Sequence, residues 1–307
     1  MTNLVSYILG KNANQRMLRI LILLSIILIL IWMFKRFDLS GVHEGFTQDE
    51  RFVAKYNIEV YDEFYAQIYD KIYQPQNQNA AIKQAIKMTE PTNKSVFLDV
   101  GSGTGCLVSY LQDQGMNVYG IEKSEPMINY SLKKYQDLKI KQGDILTPMT
   151  FDRNTFSHIL CTDFSIYQFK DKAMLFRNIY YWLNSNGYLI LHLVDRNKYD
   201  PIVAAGKPKL LDSPQKYATE RITDTEIDFI DFKYKSVVDF SKKDLTIITE
   251  TFTDGNSYNV RQNEQTLYME DMQDIIYTAQ YCGFINHGQI ALPFDENQYI
   301  FVLERPL

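Results

Sequence analysis

Hydrophobic and polar positions along this chain change period several times, and the first block has no period at all. From Met17 to Phe34, "MLRILILLSIILILIWMF" is apolar or small on every face except for one charge, Arg19. Such a run is just long enough to cross a bilayer. A buried core helix is the bland alternative, but few core helices are apolar all round. A cleaved signal peptide would have a shorter apolar core followed by small residues, whereas Trp32, Lys35 and Arg36 follow here. The pattern therefore predicts a short tail at 1–16, one transmembrane helix at 17–34 and a polar linker at 35–55.

Beyond residue 56 the pattern is that of a globular domain. "VYDEFYAQIYDKIY" has helical spacing, with Phe64, Ile68 and Ile72 on one face. Val96-Phe97-Leu98 reads as a buried parallel strand, and Gly101, Gly103 and Gly105 then allow a tight turn without Cβ atoms in the way. Leu107, Val108 and Leu111 suit a helix that packs back on the sheet. Further strands are read at Asn117–Ile121, in "IKQGDIL", at His158–Thr162 and at Tyr188–Val194. Pro126 suits the first turn of one intervening helix, and Lys170–Leu183 forms another. This alternation predicts a doubly wound α/β sheet.

Three alternating runs follow, Lys233–Phe240, Leu245–Thr253 and Ser257–Tyr268, with Asp254-Gly255 as a turn signal. They predict an antiparallel β-meander inserted at about 225–268, before a last helix ended by Gly283 and an apolar closing strand, "QYIFVLER". Residues 56–307 are thus read as one domain.

The glycine spacing bears on the ligand. A dinucleotide fingerprint needs G-x-G-x-x-G, whereas these glycines fall at 101, 103 and 105, with Asp99 two residues ahead. Glu122 ends the second strand about twenty residues later, where an acid can accept hydrogen bonds from ribose hydroxyls or simply be solvated. A tight turn in an unrelated α/β domain would explain the glycines alone. D-x-G-x-G-x-G closely resembles the first motif of the class I S-adenosylmethionine-dependent methyltransferases. That resemblance covers roughly residues 56 to 305 and implies a Rossmann-like seven-stranded sheet with S-adenosyl-L-methionine as cofactor. It implies that Asp99, Gly101, Gly103 and Gly105 carry the methionine part and that Glu122 takes the ribose. Asp144 and Ile145 then take the adenine, Met127 covers the adenine or packs in the core, and Asp163 completes the set after the fourth strand. Where the family often has Pro-Gly-Gly, this chain has Ser185-Asn186-Gly187, a departure in turn chemistry only.

A Y-D-x-x-Y segment upstream of the glycine loop resembles small-molecule N-methyltransferases, in which it lids the cofactor. Tyr69 is the first candidate for a hydroxyl near the transferring methyl, with Tyr61 and Tyr65 as alternatives. Tyr167 and His192 are further candidates at strand ends. His192 has the more useful pKa for a base, and a satisfied core histidine is its competing reading. The meander resembles that of dTDP-amino-sugar N,N-dimethyltransferases, and "DRNKYDPI" is similar to a segment of glycine N-methyltransferase. Such a meander can roof a substrate pocket or form a homodimer contact. The expected reaction is methyl transfer to a small molecule, with an amine favoured over a hydroxyl. Methylation of a protein or lipid at the membrane, and a non-catalytic interaction module, are the alternatives.

Composition narrows this further. The net charge is -5 and the lysines are scattered, so nucleic acid is disfavoured as substrate, because phosphate contacts supply most of that affinity. Cysteines 106, 161 and 282 lack C-x-x-C spacing, and histidines 43, 158, 192 and 287 lack metal-ligand spacing, so no metal is expected. Lys11, Arg16 and Arg19 precede the apolar run and Lys35 and Arg36 follow it, a difference of one charge. S-adenosylmethionine is made in the cytosol, which favours a cytosolic catalytic domain. Sequons at Asn93 and Asn129 would report contact with glycosylation machinery.

Overall fold

The computed structural model describes Met17, residues 20–29, Gln48, and residues 50–207 and 212–307. The chain forms two compact units, Met1–His43 and Glu44–Leu307. In the first, residues 20–29 are helical with exposed apolar side chains. Apart from Met17, the rest of the expected span, and the tail 1–16, lie outside the described residues. Among the residues described, no helix is long and apolar enough to cross a membrane.

The second unit opens on strand β1 (Phe52–Tyr56) and helices α1 (Glu63–Tyr73) and α2 (Asn79–Met88). Asp62 caps α1, its Oδ1 accepting from the Tyr65 amide at 3.2 Å. The α/β core follows as β2 (Val96–Val100), α3 (Cys106–Asp113), β3 (Asn117–Glu122), α4 (Glu125–Lys134), β4 (Ile140–Gln142), β5 (Phe156–Cys161), α5 (Lys172–Trp182) and β6 (Leu183–Val194). Strands β7 (Asp224–Asp228), β8 (Phe232–Asp239), β9 (Leu245–Asp254) and β10 (Val260–Tyr268) come next. Helix α6 (Met272–Tyr281) and strands β11 (Ile285–Leu292) and β12 (Asp295–Arg305) close the chain.

The main sheet has seven strands in the order β11-β12-β6-β5-β2-β3-β4, as the doubly wound expectation required. Strands β2 to β6 pair in parallel, and β2, β5 and the second half of β6 are mostly apolar, because both faces of the sheet are covered there. One face packs on α5 and α6 through Leu175, Phe176, Ile179, Ile275 and Ala279. The other packs on α2 and α3 through Ile82, Ile86, Leu107, Val108 and Leu111.

The second sheet has five strands in the order β1-β10-β9-β8-β7 and is antiparallel except where β1 joins β10. The predicted meander is thus present, with β7 and β1 added at its edges. The predicted linker 35–55 is shortened, because Phe52–Tyr56 pairs with Val260–Glu264. The turn after Asp254 is also longer than the two-residue hairpin its Asp-Gly suggested: Asp254 Oδ1 accepts from the amides of Asn256 and Ser257 at 2.9 and 2.6 Å, giving an Asx-type loop. On its inner face this sheet packs Phe232, Tyr234 and Phe252 against Phe64, Tyr65, Ile68 and Ile72 of α1. Ser236, Glu250, Asn263 and Gln265 share that buried face, an unusual polarity for a core.

Candidate active site

The loop between β2 and α3 is shaped by backbone hydrogen bonds and by the freedom of its glycines. The amides of Gly101 and Ser102 both donate to the Ile121 carbonyl, at 2.9 and 3.1 Å, which fastens the loop to the end of β3. Gly105 has φ +75°, and a Cβ there would lie 2.7 Å from Leu138 Cδ1. The residue therefore works beneath the loop, letting α3 start hard against its neighbours. Gly101 and Gly103 line the cleft above.

Four carboxylates surround that cleft. Glu122 accepts from the amides of Gly103, Lys123 and Ser124 at 3.0, 2.8 and 2.8 Å, so it holds the loop as well as facing the cleft. Burial raises its pKa, and those amides oppose the rise. Asp144 accepts from Lys123 Nζ at 2.8 Å and the Leu146 amide at 2.9 Å; burial works against it, yet these donors hold its carboxyl below the ordinary value. Asp99 is 3% exposed and receives no hydrogen bond among the described residues. Burial, with Asp163 and Glu122 nearby, pushes its pKa well above the usual range. Asp163 is likewise pushed up to about 7, by burial and then by Asp70. Acids so placed, with no protein cation beside Asp99, favour a cationic ligand.

A second, larger cavity of about 710 Å³ lies under the five-stranded sheet. Its walls are tyrosines of α1 (Tyr65, Tyr69, Tyr73), the segment Tyr199–Ala205, and the polar inner face of β8 to β10. Tyr61, Tyr69, Asp163 and Gln168 line both cavities and mark where they meet. The junction is ordered by a chain of hydrogen bonds. Gln168 Nε2 donates to Tyr61 Oη at 2.8 Å, Tyr61 donates to Gln265 Oε1 at 2.7 Å, and Gln265 Nε2 donates to Tyr65 Oη at 3.2 Å. Tyr65, Tyr73 and Tyr234 then donate to the buried Glu250 at 2.7, 2.8 and 2.9 Å.

Comparison with known proteins agrees with this geometry. Residues 98–191 match the methyltransferase domain family, a stretch that runs from the middle of β2 into β6 and contains the glycine loop. Residues 98–191 carry a methyltransferase domain. An uncharacterized methyltransferase of Geobacillus sp. is 37% identical over 91 residues, which span 38% of that relative and 29% of this chain. Among solved structures, an S-adenosylmethionine-dependent methyltransferase from Clostridium acetobutylicum superposes with TM-score 0.61 at 17% identity, over 79% of this chain and 98% of that one. A methyltransferase from Streptomyces caelestis gives 0.60 at 16% identity, over 81% and 98%. A SAM-bound amino pentose methyltransferase from Micromonospora echinaspora gives 0.53 at 16% identity, over 75% and 91%. At these identities the likeness is one of fold.

The glycine-loop cleft fits S-adenosylmethionine on its own chemistry. The unpartnered Asp99 carboxylate offers a place for an ammonium, and the glycine loop brings backbone close to a ligand. Of the residues expected at the cofactor, Asp99, Gly101, Gly103, Glu122, Met127, Asp144, Ile145 and Asp163 line one cleft, and Tyr69 joins them. Met127, 1% exposed, also belongs to the core beneath α1. Gly105 supports the loop from below.

Two expected catalytic residues are placed elsewhere. His192 is fully buried and lines neither cavity; its Nε2 lies 3.0 Å from Gln298 Oε1, and Phe164 packs edge-on against its ring. Burial lowers its pKa to about 4, which suits a neutral core histidine. Tyr167 is also fully buried, its hydroxyl accepting from the Val194 amide at 2.8 Å. Gln78, Gln168, Glu250 and Gln265 were not singled out from the sequence. The alternation of polar with apolar residues in "SVVDF" and "RQNEQTLY" carries no sign of which polar face lines a cavity.

Proposed function

We propose that this protein is a membrane-anchored enzyme that transfers a methyl group from S-adenosylmethionine to a small-molecule acceptor, most readily an amine. The observation that carries the reading is the meeting of two cavities at Tyr61, Tyr69, Asp163 and Gln168. One cavity has the glycine loop and acids suited to the cofactor. The other has the volume of a small-molecule site, which ranges over about 300–1,000 Å³. The amine preference is supported by the acids and tyrosine hydroxyls at the junction, and by fold neighbours described as amino pentose and sugar N-methyltransferases.

When bound, the cofactor supplies an electrophilic methyl group on a positively charged sulfur. The protein's part is orientation and exclusion of water. Asp99, Glu122, Asp144 and the glycine loop hold the cofactor, while Tyr69 and its neighbours align the acceptor. The apolar run 17–34 supports an anchor that keeps the domain at a membrane on its cytosolic side.

The test is a transfer assay with the full chain in detergent, using methyl-labelled S-adenosylmethionine and a panel of sugar, alkyl and aromatic amines beside the matching alcohols. Label in an amine product supports the reading. Binding of S-adenosylhomocysteine with transfer only to membrane protein or lipid would replace the acceptor class, and no cofactor binding by the folded chain would end the enzyme reading. Carbonate extraction of membranes tests the anchor: a soluble full chain would remove it.

A further inference from the structure

The junction between the cavities contains one carboxylate whose partners do not account for it. Asp163 follows β5, and Asp163 and Phe164 both adopt left-handed backbone conformations, φ 48° and 63°. Non-glycine residues held this way cost free energy that the surrounding structure must offset, and they gather at functional sites. The turn aims Asp163 into the space where the cavities meet, and among the described residues it is the only carboxylate that lines both.

Its neighbours are otherwise engaged. Glu122 holds three amides, Asp144 pairs with Lys123, and Asp70 accepts from Thr104 and pairs with Lys134. Glu250 takes three tyrosine hydroxyls, and Asp200 pairs with Lys207. Asp163 accepts one hydrogen bond, from Gln78 Nε2 to Oδ1 at 2.5 Å, and its Oδ2 receives none among the described residues. The titratable groups around it are Tyr69 and Asp70 of α1, Asp99 of β2 and Cys106 of α3, none of them a cation.

We infer that Asp163 is a catalytic residue, which receives the acceptor as an ammonium ion at the junction and takes a proton from it. This inference rests on the amine reading above. The acceptor arrives as R–NH3+; Asp163 Oδ2 takes one proton and becomes a neutral acid, leaving R–NH2. The nitrogen lone pair forms the bond to the methyl carbon as the carbon–sulfur bond breaks, its electron pair remaining on sulfur. The methylated ammonium product departs, and Asp163 returns its proton to water through the acceptor cavity. Burial that holds Asp163 near neutrality matches the task, since a base works best when its pKa is near the working pH.

The experiment uses the full chain loaded with S-adenosylhomocysteine. Benzylammonium and cyclohexylammonium are compared with benzyl alcohol and cyclohexanol by ligand-observed NMR, in the wild type, Asp163→Asn and Asp163→Ser. The expected result is about a tenfold or greater preference for the ammonium probes in the wild type, equivalent to about 1.4 kcal/mol, lost in both variants. A thermal unfolding transition is the folding control, and loss of S-adenosylhomocysteine binding by both folded variants would assign Asp163 to the cofactor and overturn the inference. An ammonium preference that survives in a folded variant, or is missing from the loaded wild type, overturns the assignment. Failure of the wild type to bind S-adenosylhomocysteine would instead end the methyltransferase reading. Those outcomes are therefore distinguishable.

Discussion

Tyr65 donates its hydroxyl proton to Glu250 Oε2 at 2.7 Å, joining helix α1 to the middle of the five-stranded sheet. Tyr73 on the same helix and Tyr234 on β8 donate to the other carboxylate oxygen. Glu250 is thus the knot between the helix that carries Tyr69 and the sheet that roofs the larger cavity. Glu250→Ala would leave three hydroxyls short of an acceptor, two of them on fully buried tyrosines. A buried donor without a partner costs about 1–3 kcal/mol, so the expected loss is about 2–4 kcal/mol. Glu250→Gln, which keeps an acceptor oxygen, should lose less. Urea unfolding followed by tyrosine fluorescence measures both; an unchanged midpoint in Glu250→Ala would show that the knot holds nothing.

Gly103 and Gly105 both have positive φ, but only one is also crowded. A Cβ on Gly103 meets nothing nearer than Gly101 O at 3.9 Å, so Gly103→Ala carries only the conformational cost of φ +49°, about 1–2 kcal/mol. A Cβ on Gly105 lies 2.7 Å from Leu138 Cδ1 and 3.0 Å from Ser131 Cβ, adding a clash in a packed site. Gly105→Ala should therefore melt several degrees below Gly103→Ala, whereas Gly103→Ala, inside the cleft, should weaken S-adenosylhomocysteine binding more for its stability cost. Equal melting temperatures would show that Leu138 and Ser131 yield freely.

The two sheets were unequally legible. Strands β2, β3, β5 and β6 are apolar runs punctuated by glycine and polar turns, so their order and parallel character could be read directly. Strand β11, "INHGQIAL", mixes exposed and half-buried positions at a sheet edge and gave no usable period. Strand β1 was hidden for a related reason: five residues, "FVAKY", with no buried position of their own become a strand only because β10, more than two hundred residues later, offers an edge. The acids that line the glycine-loop cleft were legible because they lie at local spacings around the glycine loop. The larger cavity was not, since Tyr69, Asp163 and Gln265 come to line it only through tertiary packing. His192 shows the limit most plainly: its position near a strand end suggested a base, but which way a strand residue faces depends on what covers it, and here Phe164 and Gln298 do.

Tyr69 touches both cavities, and its ring packs edge-on against Tyr65 at 5.7 Å and tilted against Tyr73 at 4.9 Å. Tyr69→Phe keeps that packing and removes only the hydroxyl. A hydroxyl used to align the acceptor should appear as a drop of about tenfold or more in kcat, with S-adenosylhomocysteine affinity within about threefold of wild type. Unchanged turnover would assign the hydroxyl to Tyr61, the other tyrosine shared by both cavities.

Acid should pull the protein's stability in two directions, and single substitutions can separate them. His192 is lowered to about 4 by burial, so its contribution is complete above the unfolded histidine value of about 6.5 and is lost as pH falls through 4. Asp163 is pushed up to about 7, so its contribution is complete below the unfolded aspartate value of about 3.9 and is lost as pH rises through 7. Between pH 7.5 and 4.5 the two oppose each other in the wild type. Asp163→Asn removes the compensating group and should lose more stability on acidification than wild type, by on the order of 2 kcal/mol. His192→Phe should lose less, by a similar order. The Gln298 Oε1 left without its histidine partner by His192→Phe costs the same at both pH values and cancels from the comparison. Urea midpoints of the three proteins at the two pH values decide the matter, and parallel pH profiles would show that neither group changes protonation between the folded and unfolded chain.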